Sequence, residues 1–249
     1  MSRMLYRRCD TPATGQRVFI AMAAYEGIGA GMCHSLAYTT AALATAGIEF
    51  ELAIYALNCH VDDSRNKLVR KFLSSGCSDL VFLDADVEWN EPDFLKLIGF
   101  DRDIVAGIYP KKHDEDAPPV KFIPGPIWSD SAGLIEVQGV PTGFLRVRRG
   151  VFEALHETER KYNAKNDDAY ATACIFERDI INGSRWGGDY IFARKARALG
   201  FKVYVDPMMA FSHSGEHTWS GRLATWLRKR SGNGLKEGLD AIREHRETL

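Results

Sequence analysis

The chain has 249 residues, 45% hydrophobic and 26% charged, enough to bury one substantial core in a single domain. Its 32 Lys and Arg against 33 Asp and Glu leave a formal net charge of -1, without the positive field that a phosphate backbone requires, which argues against nucleic acid as the main partner. Five scattered cysteines (Cys9, Cys33, Cys59, Cys77, Cys174) form no Cys-x-x-Cys pair, which argues against a disulfide framework or a cysteine zinc site and for a reducing cytoplasm.

The N-terminal MSRMLYRRCD has basic residues but no apolar run behind them, unlike a secretory signal. Arg17 to Ala24 (RVFIAMAA) is a continuous apolar run ending in a glycine-rich turn, as expected of a strand buried on both faces. Gly27 to Ile48 lacks Asp, Glu, Lys and Arg, but Gly27, Gly29, Gly31, His34, Ser35, Thr39 and Thr40 dilute it too far for a membrane span. Ser35 to Ala46 instead predicts a buried helix ended by Gly47, followed by a strand over Phe50 to Ala56. Ser64 to Leu73 gathers Leu68, Val69, Phe72 and Leu73 on one helical face.

Leu80 to Leu83 is a third strand that runs into the acidic DADVEW segment, and Glu91 to Ile98 is a helix with Pro92 in its first turn. Asp103 to Tyr109 predicts a fourth strand. Charges and four prolines loosen Lys111 to Gly139 into a loop or irregular hairpin, before order resumes at Gly143 to Val147 and at the helix-like Gly150 to His156. The polar Glu157 to Asn182 is expected to be a mobile loop. Asp189 to Leu199 reads as a helix and Lys202 to Val205 as a strand; the tail from Gly221 is amphipathic and is broken at Ser231 to Gly234. Strands alternating with helices predict an α/β domain over residues 1–220 with a central, mostly parallel sheet, and a C-terminal helical tail over 221–249.

In open α/β sheets, ligands bind beyond the carboxyl ends of the strands, where loops and helix N-termini converge. Asp84 and Asp86 stand at such an end, and two carboxylates one residue apart suit a divalent cation such as Mn²⁺ or Mg²⁺ shared with a diphosphate. A plain polar turn after a strand is the alternative. The strand before the pair, Glu88-Trp89 after it and the helix opening at Pro92 favour a site.

The ordered set SRNKLVRKFL, LVFLDADVEW, DIVAGIYPKK, VPTGFLRVRR, GGDYIFARKARALGFKVYVDP and FSHSG resembles the glycosyltransferases of the GT-A fold, a Rossmann-like nucleotide-diphospho-sugar transferase superfamily with an Asp-x-Asp motif. It spans roughly residues 17 to 217. The resemblance implies transfer of a hexosyl group from a nucleoside-diphosphate sugar, UDP-sugar by family frequency with GDP-sugar open, to a glycan, lipid or protein acceptor. It places Asp84 near the donor ribose and the metal, makes Asp86 a direct metal ligand with Ala85 between them, and makes His213 similar to the late histidine that completes the metal site. Neutral imidazole is a competent ligand, and a purely structural histidine is the alternative.

The same resemblance puts Ala24, Tyr25 and Glu26 in the nucleobase pocket, although many members carry proline where this chain has Ala24. Arg65 and Asn66 open a helix facing the crevice and would hold the base or a phosphate, unless they are a solvated helix start capped by Ser64. Gly143, Trp186, Gly187 and Gly188 complete the nucleotide-sugar site. Asp189 follows in the position of the acidic base of inverting members, where Gly188-Asp189 replaces the usual Glu-Asp pair. A helix cap is its other reading.

Two other classes stay open. Gly27-Ile28-Gly29-Ala30-Gly31 invites a dinucleotide-binding oxidoreductase with Glu49 or Glu51 on the ribose, but Met32 stands where the third glycine belongs. A nucleotidyltransferase should carry a basic loop here, and Gly27 to Met32 has no Lys or Arg. A non-catalytic carbohydrate binder would use Trp128, Trp186, Trp219 and Trp226 as sugar platforms.

Overall fold

A computed structural model of the protein describes residues 3–9, 16–25, 27–112, 117–164, 167–215 and 217–230. The chain opens with β1 (Arg3–Cys9), β2 (Arg17–Ala24), α1 (Ala30–Thr45) and β3 (Glu49–Ala56). Next come α2 (Val61–Leu73), β4 (Asp79–Asp84), the short β5 (Val87–Trp89), α3 (Glu91–Gly99) and β6 (Ile104–Gly107). They are followed by β7 (Lys121–Phe122), β8 (Ile135–Gly139), β9 (Phe144–Arg148) and α4 (Arg149–Thr158). Two hairpins, β10 (Lys161–Ala164) with β11 (Asp167–Ala173) and β12 (Asp179–Ile181) with β13 (Ser184–Trp186), lead to α5 (Gly188–Ala198). The described chain ends with β14 (Val203–Asp206), β15 (Ala210–Ser214), β16 (Thr218–Arg222) and α6 (Leu223–Arg230).

Nine strands form one sheet in the order β1-β3-β2-β4-β9-β6-β14-β8-β7. The expectation of a mostly parallel sheet fails. Only β3 with β2, β2 with β4, and β6 with β14 pair in parallel. The other five neighbouring pairs are antiparallel. The reason lies in where β9 is inserted: residues 140–143 carry the chain from β8, two strands away, into the slot between β4 and β6, and β9 runs against both neighbours. A second sheet, β16-β15-β5, stands beside the end of β4.

The core fills both faces of the large sheet, as the unbroken apolar run of β2 requires. Phe19 and Ala21 enter one layer with Phe72, Phe152, Phe176 and Phe192, while Val18, Ile20 and Met22 enter the other with Met32, Leu43, Phe94 and Leu97. Each fully buried Phe contributes roughly 1.5–3 kcal/mol by the area it removes from water. Phe176 stacks on Phe192 with ring centroids 5.0 Å apart, locking the chain after β11 onto α5.

Two arginines tie helices to the sheet. Arg146 in β9 is fully buried and donates to the carbonyls of Leu97, Phe100 and Arg102, collecting the free acceptors at the end of α3. Its burial in an apolar layer lowers its pKa to about 10, against the pull of Asp79. Arg149 treats the end of α2 likewise through the carbonyls of Phe72, Leu73, Ser75 and Cys77.

The segment expected as a mobile loop holds the end of α4, the β10–β11 hairpin and β12. Its polar sequence conceals a one-sided pattern, in which Thr172, Ala173, Ile175 and Phe176 are buried. At the C-terminus, Gly221 and Arg222 still belong to β16, and α6 buries Leu223, Ala224 and Leu227. The break at Ser231 to Gly234 and the rest of the tail lie outside the described residues. Among the described residues, no helix is long and apolar enough to cross a membrane.

Candidate functional site

Asp84 closes β4 at its carboxyl end, in register with Ala23 of β2 on one side. On the other side its N–H donates to the Gly143 carbonyl at 3.0 Å. Both carboxylate oxygens are committed. Arg65 Nη2 donates to Oδ1 at 3.1 Å and the Tyr109 hydroxyl to Oδ2 at 3.0 Å. The Gly143 N–H donates back to the Tyr109 oxygen at 3.2 Å. A Cβ at Gly143 would stand 2.5 Å from both Asp84 Oδ2 and the Tyr109 oxygen, so glycine is what allows this closure.

Asp86 faces a different set of groups. Lys112 Nζ donates to its Oδ2 at 2.5 Å, and His213 Nε2 lies 3.4 Å from its Oδ1. Burial alone would raise the Asp86 carboxyl, but the contacts with His213 and Lys112 outweigh it and hold the pKa down at about 2. Asp84 is thus paired with Arg65 and Tyr109, while Asp86 is paired with Lys112 and faces His213. His213 lies in β15, opposite Val87 of β5 and Trp219 of β16, and Ser214 N donates to the Asp86 carbonyl at 2.9 Å.

The geometry around His213 fits a divalent cation. Nδ1 lies 2.8 Å from the Pro110 carbonyl, which can only accept, so Nδ1 donates there and Nε2 is the ring nitrogen left facing Asp86. A ring proton on Nε2 makes this a hydrogen bond to the carboxylate, and without that proton the Nε2 lone pair is open to a cation shared with Asp86. The 3.4 Å separation is near the roughly 3 Å between adjacent ligands of an octahedral ion with bonds of about 2.1 Å. Among the described residues, no group of three or more His, Cys, Asp or Glu gathers as a complete cage, so remaining ligands would be substrate or solvent oxygens.

Arg65 is 7% exposed and couples this site to α5. Burial works against its charge, yet Asp84, Asp189 and Tyr109 more than offset it and raise its pKa. Asp189 stands in the first turn of α5, whose cap residue is Gly187. Burial, reinforced by Asp84 and Asp62, lifts the Asp189 carboxyl above the ordinary range, with Arg65 pulling the other way. Gly188 permits the approach of α5 to α2, since a Cβ there would collide with the Asp62 carboxylate.

Other expected residues have structural occupations. Asn66 is 3% exposed: it donates to the Phe176 carbonyl at 2.9 Å and accepts from the N–H groups of Ile175 and Phe176 at 3.1 and 2.7 Å. It fastens the chain after β11 to α2. The Ala24 carbonyl accepts from Leu57 N at 3.0 Å, and the Ala85 carbonyl from Gly29 N at 2.8 Å, which seats the start of α1 beside the acidic turn. Tyr25 is exposed at the end of β2, and Glu26 lies outside the described residues. Trp186 lies beneath the Lys121 ammonium, 3.5 Å from the ring centroid.

Sequence reasoning missed Tyr109 and Lys112 as site residues. Tyr109, Pro110 and Lys112 respectively bond Asp84, hold His213 and pair with Asp86, so the short run after β6 organises the whole acidic turn. The available signal was its position at the same sheet end as β4. Beside it opens a cleft of about 720 Å³ lined by Trp89, Tyr109, Pro110, Phe211, Trp219 and Trp226 among others.

No family model matches the chain, and neither does any curated protein. Among solved structures, one titled "Crystal Structure of A197 from STIV" is similar at a TM-score of 0.55 and 19% identity, covering 84% of this chain and 91% of that one. At that identity the likeness establishes a shared fold and nothing about activity.

Proposed function

We propose that this chain is a metal-dependent glycosyltransferase that moves a sugar from a nucleoside-diphosphate sugar, UDP-sugar in the first instance, to an acceptor hydroxyl. The observation that carries this reading is the Asp86–His213 pair, in which a Pro110-anchored imidazole directs Nε2 at a carboxylate on the rim of a sheet-end crevice. A bound Mn²⁺ or Mg²⁺ would supply positive charge where the leaving diphosphate becomes more negative.

The chain's own groups divide the remaining work. Asp86 and His213 would hold the cation, and Arg65 keeps Asp84 in place with its charge compensated. Asp189, at the positive end of α5 and with its carboxyl raised toward the range of a working base, accepts the acceptor proton. As that oxygen bonds to the anomeric carbon, the bond from the carbon to the diphosphate breaks and its electron pair stays on the diphosphate oxygen. The aromatic cleft beside Tyr109 gives the acceptor a wall to pack against and excludes water, which would otherwise hydrolyse the donor. A cytoplasmic setting accords with free Cys33, Cys59, Cys77 and Cys174.

The test is a panel of nucleotide sugars incubated with the protein, with and without Mn²⁺, reading released nucleoside diphosphate. Metal-dependent release from one donor is expected. Absence of release and of binding across the panel overturns the reading.

A further inference from the structure

We infer that Lys112 is a charge-exchanging residue of this site: its ammonium competes with a divalent cation for Asp86 and, once displaced, pairs with the diphosphate of the donor. This rests on the metal-dependent reading above. The Lys112–Asp86 contact, at 2.5 Å, is shorter than the 3.4 Å His213 contact to the same carboxylate. Ammonium and metal therefore draw on the same negative charge. Yet both side chains are more than a third exposed, at 36% and 40%, so the pair is worth little and displacement costs little.

The stem of Lys112 is fenced, and its exposed head is paired with Asp86. Its Cδ passes 3.1 Å from where a Cβ would stand at Gly215, over the turn after β15. That turn is tied down by Ser214 N on the Asp86 carbonyl and by Gly215 N on the His217 carbonyl at 2.7 Å. A displaced ammonium thus stays within a side chain's reach of Asp86, where the donor phosphates lie if Asp86 shares a cation with them. A primary ammonium suits that position, since it meets phosphate oxygens as a point charge without a fixed fork geometry.

The test uses the full chain and two ligands, Mn²⁺ alone and UDP in saturating Mn²⁺. Free Mn²⁺ is read by electron paramagnetic resonance and UDP by calorimetry. Lys112→Ala should bind Mn²⁺ alone about fivefold more tightly, as loss of an exposed competing ion pair implies. The same variant should bind UDP at saturating Mn²⁺ at least about tenfold more weakly, as loss of a charge-assisted phosphate contact implies. Lys112→Arg should lie close to wild type in both. Unchanged or weaker Mn²⁺ binding in Lys112→Ala, or unchanged UDP binding, overturns the role of Lys112 while leaving the metal site standing. A wild-type chain that binds no Mn²⁺ overturns both.

Discussion

Arg65 reaches from the second turn of α2 to Asp84 at the end of β4, with Nη2 3.1 Å from Oδ1, and its charge also acts on Asp189 in α5. One buried cation thus joins the helix that frames the crevice, the strand that ends in it and the carboxylate proposed as base. Arg65→Met keeps the stem and removes the charge. It should lower stability by about 1–3 kcal/mol in urea denaturation, the cost of leaving a part-buried acceptor unpaired. Wild-type stability in the variant would show that the ion pair is incidental.

Asn66, next to Arg65 in α2, tests a structural against a ligand-binding role. Asn66→Asp preserves the acceptor for Ile175 and Phe176 but cannot donate to the Phe176 carbonyl, and it buries a charge. A stability loss of at least about 1–3 kcal/mol is expected. Asn66→Ala should also destabilise the fold, while UDP affinity measured below its melting transition stays within about twofold of wild type. A selective loss of UDP affinity with unchanged stability would return Asn66 to the nucleotide site.

The elements were legible where local pattern decides them. β2 and the end of α2 fall where the apolar run and the helical face place them, and LVFL predicts a strand delivering Asp84 to a sheet end. Strand direction was not legible, because the pairing of β9 with β4 joins residues more than sixty positions apart and leaves no local trace. Arg146 reads locally as a solvent-facing charge in FLRVR, whereas it is fully buried and donates to the carbonyls of Leu97, Phe100 and Arg102 at and just after the end of α3. The importance of Lys112 was hidden for the same reason: only the folded chain brings it to Asp86.

On the proposed reading, Asp189 as base sets the pH dependence. A base must be unprotonated, so activity is present above the folded pKa of Asp189 and lost as pH falls through it. Because burial, with Asp84 and Asp62, raises that pKa above 3.8, the acid limb of kcat/KM should lie above the ordinary carboxylate range. The same raised pKa means that a protonated Asp189 favours the folded chain, a contribution lost as pH rises through the folded value. Asp189→Asn should keep UDP binding and lower kcat by about 100- to 10,000-fold. A variant near full speed, or a product of retained anomeric configuration by NMR, removes Asp189 from the role of base.

The central claim is that Asp86 with His213 holds a divalent cation for a nucleoside diphosphate, and calorimetry of UDP with Mn²⁺ or with EDTA tests it most directly. Wild type should bind UDP at least about tenfold more tightly with Mn²⁺ than with EDTA, since a cation held by Asp86 and His213 would offset the diphosphate charge. In Asp86→Ala the Mn²⁺ enhancement should vanish, while stability stays within about 0.5 kcal/mol because the side chain is 40% exposed and outside the core. An Asp86→Ala protein that keeps the full Mn²⁺ enhancement, or a wild type that shows none, contradicts the account.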